Sequence, residues 1–177
     1  MIPFNIAIPD SKITRLKQKL SLSDFPSEVE TVDSWARGSP LADIKRLALY
    51  WEREFDWRRT EAHLNGFPQY IAKIDVECFD TYNVHFVHQT SAVKNAIPLL
   101  FMHSWPGSFL EVTKMLPELV KGGEGFPAFH VVAPSLIGFG FSEGSKKVSS
   151  RIEIMCKSDV RIRAPSMSTS MLRCATS

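Results

Sequence analysis

The stretch "IPLLFMHSWPGSFLEV", Ile97 to Val112, decides how this sequence is read. An apolar run ends at His103, a tight Trp105-Pro106-Gly107 turn follows, and a helical pattern begins directly after it. A continuous apolar run fits a strand buried on both faces of a largely parallel sheet. Sites in open α/β sheets form beyond the carboxyl ends of strands, so the turn falls where chemistry is expected. Pro106 has no N–H and biases Trp105 toward extended backbone, which leaves the Trp105 N–H free to point at a ligand. A donor fixed in this way stabilises a developing oxyanion. The bland alternative is a strand-to-helix turn with the Trp ring packed on the sheet, and the turn by itself leaves both open.

Working outward, "QYIAKIDVECF" (Gln69–Phe79) and "YNVHFVHQT" (Tyr82–Thr90) alternate or carry β-branched residues, as two adjacent strands do. "SFLEVTKMLPELVKGG" (Ser108–Gly123) predicts one amphipathic helix, kinked or stopped early by Pro117 and closed by Gly122-Gly123. "FHVVAPS" (Phe129–Ser135) predicts a second buried strand. Further upstream, Asp10 or Ser11 is placed to cap a first helix carrying Ile13, Leu16 and Leu20. Phe25–Pro40 is broken by Pro and Gly and reads as a loop. From Pro40, Ile44, Leu47, Ala48, Trp51 and Phe55 form a helical stripe that predicts one buried face. A short helix through "DWRRTEAHL" (Asp56–Leu64) ends at Asn65-Gly66, a candidate left-handed cap. Within it, Asp56, Arg58, Arg59 and Glu61 read as a solvated face with weak ion pairs. A helical lead-in, two hairpin-like strands, then strand–helix–strand make an α/β fold.

Composition narrows the function classes. A 44% hydrophobic, 23% charged sequence is a globular balance, and 177 residues suit one domain or part of a larger one. The net charge of +2 is spread without a basic block, so nucleic acid is not an expected partner. Cys78, Cys156 and Cys174 are odd in number and far apart, which argues against a disulfide framework and against paired zinc ligands. His85 and His88 are three apart on a strand and point to opposite faces, and His63 has no partner at i+4, so no metal site is expected. With no signal peptide and no apolar run long enough to span a bilayer, the expected setting is cytoplasmic, without a membrane anchor. One decoy stands out. Gly140-Phe141-Ser142-Glu143-Gly144 fits G-x-S-x-G, but that nucleophile elbow needs a strand before it and a helix after it, and neither is evident.

Several of these segments together carry a resemblance. "HSWPGSFLE" (His103–Glu111) resembles the H-G-x-P oxyanion-hole motif of α/β-hydrolase-fold epoxide hydrolases, with Ser104 in place of the usual Gly. The segment from Trp35 to Asp75, beginning "WARGSPLADIKRL", resembles the N-terminal region of the microsomal type, and "VHFVHQTS" (Val84–Ser91) resembles its next strand. "VVAPSLIGFGFSEG" (Val131–Gly144) resembles the loop after the following strand, with Ile137 where the family usually has Pro. The resemblance spans about Pro3 to Lys147. It implies a two-step reaction that takes a small-molecule epoxide to a vicinal diol through a covalent ester, with no metal or organic cofactor. It also implies that the Trp105 N–H is one oxyanion donor, while His103 and Pro106 shape the turn.

The expected organisation is then an N-terminal region at 1–92, the first part of an α/β-hydrolase core at 93–147, and an unrelated, disordered tail at 148–177. From Val148 the sequence leaves the family pattern, and the nucleophile, lid tyrosines and His–acid pair that the family needs are not found. Val148-Ser149 can be encoded by GTGAGT, the usual start of an intron, so a retained intron with a shifted frame is one account of the tail. The reading that results is an incomplete fold from the N-terminal part of an epoxide hydrolase, inactive alone. Its rivals are a non-catalytic binding protein and a serine esterase acting through Ser142.

Overall fold

A computed structural model of the chain describes residues 1–28, 35–36, 38–75 and 80–145. The tail from Val148, with the expectations of disorder and of an intron, lies outside the described residues, as does Cys78. The chain divides into two compact units, a helical one at Ile6–Leu64 and a sheet unit made of Met1–Asn5 and the chain from Asn65.

The helical unit contains α1 (Asp10–Ser21), α2 (Leu41–Arg53) and α3 (Trp57–Leu64). Neither Asp10 nor Ser11 caps α1. Pro9 occupies the cap position with φ −59°, and its carbonyl accepts the Lys12 N–H at 2.9 Å. Pro40 starts α2 in the same way, with φ −58° and its carbonyl accepting from Asp43 and Ile44. Proline's locked φ suits a helix entry but supplies no side-chain acceptor, and at α2 the Leu41 N–H donates instead to Glu28 Oε1 at 3.0 Å. Gly66 is not among the glycines with positive φ, so it is not itself a left-handed residue at the end of α3.

Two other expectations fail in this unit, wholly or in part, for tertiary reasons. The stripe on α2 does not bury a face, because no residue of α2 is buried. The charged run is a solvated face only in part: Asp56, Arg58 and Arg59 are exposed, and Glu61 is not. Glu61 is buried and accepts from the Ile8 N–H at 2.7 Å and from Trp57 Nε1 at 3.1 Å. Arg58 pairs with Glu61 and with Asp10, and it also donates to the Ile8 carbonyl at 2.8 Å. The Ile8 N–H above all, then Arg58, holds the Glu61 carboxyl below its ordinary value although burial pushes the other way. Arg58 and Glu61 together tie α3 to the start of α1.

The sheet unit carries five strands in the order β1-β2-β3-β5-β4: β1 (Ile2–Pro3), β2 (Gln69–Asp75), β3 (Thr81–Gln89), β4 (Ile97–Leu100) and β5 (Phe129–Pro134). The pairings β1–β2, β2–β3 and β3–β5 are antiparallel, and β4–β5 is parallel. The described sheet is therefore mixed and not largely parallel. A parallel pair needs a crossover, and helices lie between β4 and β5 in the chain. Those helices are α4 (Leu110–Thr113) and α5 (Leu116–Lys121), two pieces where one was read. Pro117 lies in the first turn of α5, where its missing N–H costs nothing.

Alternation along β3 sorts the core. Tyr82, Val84 and Phe86 join Ile74 and Val132 in a buried cluster on one face, with Tyr70, Ala72, Leu100 and Ile137 packed against it. His85 and Val87 point to the other face, where Phe109 meets the His85 ring edge-on at 4.9 Å. β5 is buried along Val131–Pro134, as read. β4 is not buried on both faces. It is one edge of the sheet among the described residues, the other being β1, and its residues are exposed or half-buried. Among the described residues, no helix is long and apolar enough to cross a membrane.

Candidate functional site

The His103–Gly107 turn follows β4, whose register with β5 continues one step further as the Phe101 N–H bonds the Val132 carbonyl at 2.9 Å. Trp105 lies beyond that point in a turn, and the Trp105–Pro106 peptide is cis. Its backbone N–H finds no acceptor among the described residues. Trp105 is 77% exposed, so its side chain is not packed on the sheet. Pro106 is also exposed.

His103 is the buried member of the turn, 3% exposed. Its Nε2 accepts the Leu136 N–H at 3.1 Å, and its Nδ1 donates to the Ser104 carbonyl at 3.2 Å. One nitrogen accepts and the other donates, which defines the neutral imidazole with the proton on Nδ1. Phe139 meets the ring edge-on at 5.3 Å. The histidine thus fastens the turn to the loop after β5, and both nitrogens are occupied in doing so. His103→Phe keeps a ring against Phe139 but orphans the buried Leu136 N–H. The expected loss is about 1–3 kcal/mol of unfolding free energy, read from urea titration. Gly107 completes the turn. A Cβ there would lie 2.6 Å from the Ser104 carbonyl oxygen and 1.7 Å from the Glu111 carboxylate, so only glycine fits.

Reading the sequence missed a second polar cluster, under the loop after β5. His85 is fully buried, with Nε2 donating to Gln69 Oε1 at 3.0 Å and Nδ1 accepting from the Ser135 hydroxyl at 2.9 Å. Its backbone N–H bonds Ser142 Oγ at 2.9 Å, and Ser142 Oγ donates to the Ser135 carbonyl at 2.7 Å. The Ser135 N–H returns to the His85 carbonyl at 2.8 Å, and Asn83 and Glu143 bond through backbone and side chain. Gly140 lets the loop close over this cluster. It has φ +51°, and a Cβ on it would lie 2.6 Å from Ser135 Oγ. Burial pushes His85 down to about 4, so the ring is neutral at ordinary pH. The signal available in the sequence was a histidine at an inward position of β3, since a buried polar ring must find partners.

This cluster also accounts for the G-x-S-x-G decoy. Ser142 sits in a loop, and its hydroxyl is spent on a backbone N–H and a backbone carbonyl. The ring nitrogens of His85 are spent on Ser135 and Gln69, so His85 is not placed as a base for Ser142. His85 and His88 do lie on opposite faces of β3: the His85 ring meets Phe4 and Phe109, and the His88 ring lies 6.3 Å from Tyr70.

Comparison with known proteins gives one consistent result. Residues 1–112 match the family model described as the epoxide hydrolase N terminus. An epoxide hydrolase homologue from Stigmatella aurantiaca is 46% identical over 145 residues, covering 80% of this chain and 32% of its own length. The structure of Aspergillus niger epoxide hydrolase superposes with a TM-score of 0.62 at 34% identity, covering 81% of this chain and 37% of that one. Silkworm (Bombyx mori) juvenile hormone epoxide hydrolase superposes with a TM-score of 0.71 at 25% identity, covering 82% and 38%. The chain spans about a third of the length of the curated relatives it matches. The fold is that of an incomplete α/β-hydrolase sheet with a helical lead-in. The chain belongs to the epoxide hydrolase N-terminus family.

Proposed function

We propose that this chain provides the N-terminal part of an epoxide hydrolase, including one half of its oxyanion hole. The parent reaction opens an epoxide with a carboxylate nucleophile, and water then cleaves the resulting ester to give a vicinal diol. The observation that carries the reading is the Trp105 N–H, held beyond β4 by the His103 anchor and without an acceptor among the described residues. In the ester-cleaving step, negative charge develops on the carbonyl oxygen of the intermediate. A fixed N–H aimed there lowers the barrier without having to reorganise. Pro106 and Gly107 shape the turn around that donor. His103 has no free nitrogen for proton transfer and acts as a positioning residue. The ligand is a small-molecule epoxide, and the setting is cytoplasmic.

By itself the chain lacks the rest of the machinery. All three of its tyrosines lie at or before Tyr82, and the last histidine is His130, so nothing in the sequence supplies lid tyrosines or a late His–acid pair. The test joins residues 1–145 to the C-terminal two-thirds of the Stigmatella relative. This chimera should convert a terminal aryl epoxide to its diol, while the 177-residue chain alone should match heat-killed controls. Trp105→Pro removes the N–H and should lower kcat of the chimera by about 10²–10³-fold, the range for deleting an oxyanion donor. Diol formation by the isolated chain, or a Trp105→Pro chimera with unchanged kcat, would overturn the proposal.

A further inference from the structure

Trp105, Pro106 and Gly107 make no hydrogen bond to the rest of the chain among the described residues, so their course depends on what holds each end of the turn. His103 holds the upstream end, through Leu136 and Ser104. The downstream end enters α4, whose start is seated in the sheet unit: Phe109 is buried against the His85 ring, and Val112 is fully buried. Ser108-Phe109-Leu110-Glu111 fits S-x-x-E, the pattern in which a serine and a glutamate close the first turn of a helix reciprocally. The serine half is in place. Ser108 Oγ accepts the Leu110 N–H at 3.3 Å, and the Ser108 carbonyl accepts the Glu111 N–H at 3.1 Å.

The glutamate half lies against the turn. Glu111 Oε1 is 1.7 Å, and its carboxylate carbon 2.9 Å, from the point that a Cβ on Gly107 would occupy, so the carboxylate folds back onto Gly107. The Ser104 carbonyl oxygen lies 2.6 Å from the same point, and His103 Nδ1 donates to that oxygen. The carboxylate therefore packs where the two ends of the turn come together. It pairs with no Lys, Arg or His among the described residues, so no cation draws it there. A side chain that reaches from the seated helix onto Gly107 limits how far Gly107 can move, and Trp105 is two residues away along a short turn.

We propose that Glu111 is a positioning residue for the oxyanion donor: its carboxylate clamps Gly107 to the start of α4 and fixes the Trp105 N–H from downstream, as His103 fixes it from upstream. The proposal rests on the epoxide-hydrolase reading above and deepens it. In that reaction the oxyanion forms only in the second step. Water adds to the ester carbonyl and loses a proton, the carbonyl electron pair moves onto oxygen, and collapse expels the protonated diol and restores the carboxylate. A loosened turn therefore slows ester cleavage and leaves ester formation alone.

The chimera with the Stigmatella relative tests this by rapid mixing with a terminal aryl epoxide, the covalent ester being followed by mass spectrometry of the quenched protein. Glu111→Ala should form the ester within about twofold of the parent rate and cleave it about tenfold more slowly, since a small displacement of a catalytic group has effects of that order. The ester then accumulates, and kcat falls while kcat/KM does not. Glu111→Gln keeps an oxygen over Gly107 and should recover most of the lost rate. A variant that was merely less folded would give less ester, cleaved at the parent rate, and that result overturns the proposal. So does Glu111→Gln as slow as Glu111→Ala, because charge and not the clamp would then matter. A second measurement needs no turnover. In nitrogen-15 spectra of the 177-residue chain at pH 7, the Trp105 and Gly107 amide signals should be sharp in the wild type and Glu111→Gln and broadened in Glu111→Ala. Identical signals in all three overturn the clamp. Broadening in Glu111→Ala with a chimera that forms no diol sinks the catalytic reading and leaves the clamp standing. A chimera that forms diol with both steps unchanged by Glu111→Ala does the reverse.

Discussion

Phe86→Ala is expected to lower the unfolding free energy of the sheet unit by about 3–5 kcal/mol, the range for emptying a buried aromatic site. Phe86 sits at the centre of β3 with no exposed surface, its ring stacked on Tyr70 at 5.7 Å. Tyr82, Val84, Ile74 and Val132 surround the same cluster. These neighbours belong to three different strands, whose hydrogen-bonded ladders prevent them from collapsing into the space left behind. The loss therefore includes a cavity cost on top of the lost transfer free energy. Against the roughly 5–15 kcal/mol that a typical domain has in total, this removes much of the margin. Urea titration of the wild type and Phe86→Leu alongside Phe86→Ala would check it. A change below about 1 kcal/mol for Phe86→Ala would place the core elsewhere.

How much of this was legible beforehand depended on how far away the deciding partner lies. β3 was readable almost to the residue because its alternation is local, and Pro117 announced the break between α4 and α5 for the same reason. The course of the chain into the His103–Gly107 turn was also local, set by a proline and a glycine. Burial of the α2 stripe was misread, because periodicity says which residues share a face and not whether anything covers it. Glu61 was misread as solvated because its main partner, the Ile8 N–H, is 53 residues away. The antiparallel pairing of β3 with β5 escaped for the same reason. An apolar run like that of β4 reports a preference for burial, whereas its place at an edge is set by which strands stand beside it. The His85 cluster needed three separate segments, Gln69, Ser135 and Ser142, to be brought onto one histidine.

That cluster leads to the second large effect, a loss of stability in mild acid. His85 in the folded protein holds a proton only near pH 4, because burial disfavours the charged ring, whereas the unfolded chain binds it near 6.5. Below 6.5 the unfolded state therefore takes up a proton that the folded state refuses, and stability falls with pH. The contribution is fully present above 6.5, about 2 kcal/mol of it is gone by pH 5, and about 3 kcal/mol by pH 4. Below that, the folded state also protonates and the loss levels off. Protonation would also cost the bond from the Ser135 hydroxyl to Nδ1, and with it one tie between β3 and the loop that closes over Gly140. His88, lowered by burial and by the charge of His130, acts with the same sign, so the pH dependence of the wild type is an upper bound on His85 alone. Glu61 titrates on the other side. Its lowered value stabilises above the ordinary carboxylate range and is lost only in stronger acid. The comparison is therefore made between pH 7.5 and 5, in urea titrations of the wild type and His85→Leu. The variant starts less stable, since Ser135 and Gln69 lose their partner, but its curve against pH should be flatter by about 2 kcal/mol over that interval. Parallel curves for the two proteins would mean that His85 takes up its proton in the folded state as easily as in the unfolded one, and the neutral clasp would have to be abandoned.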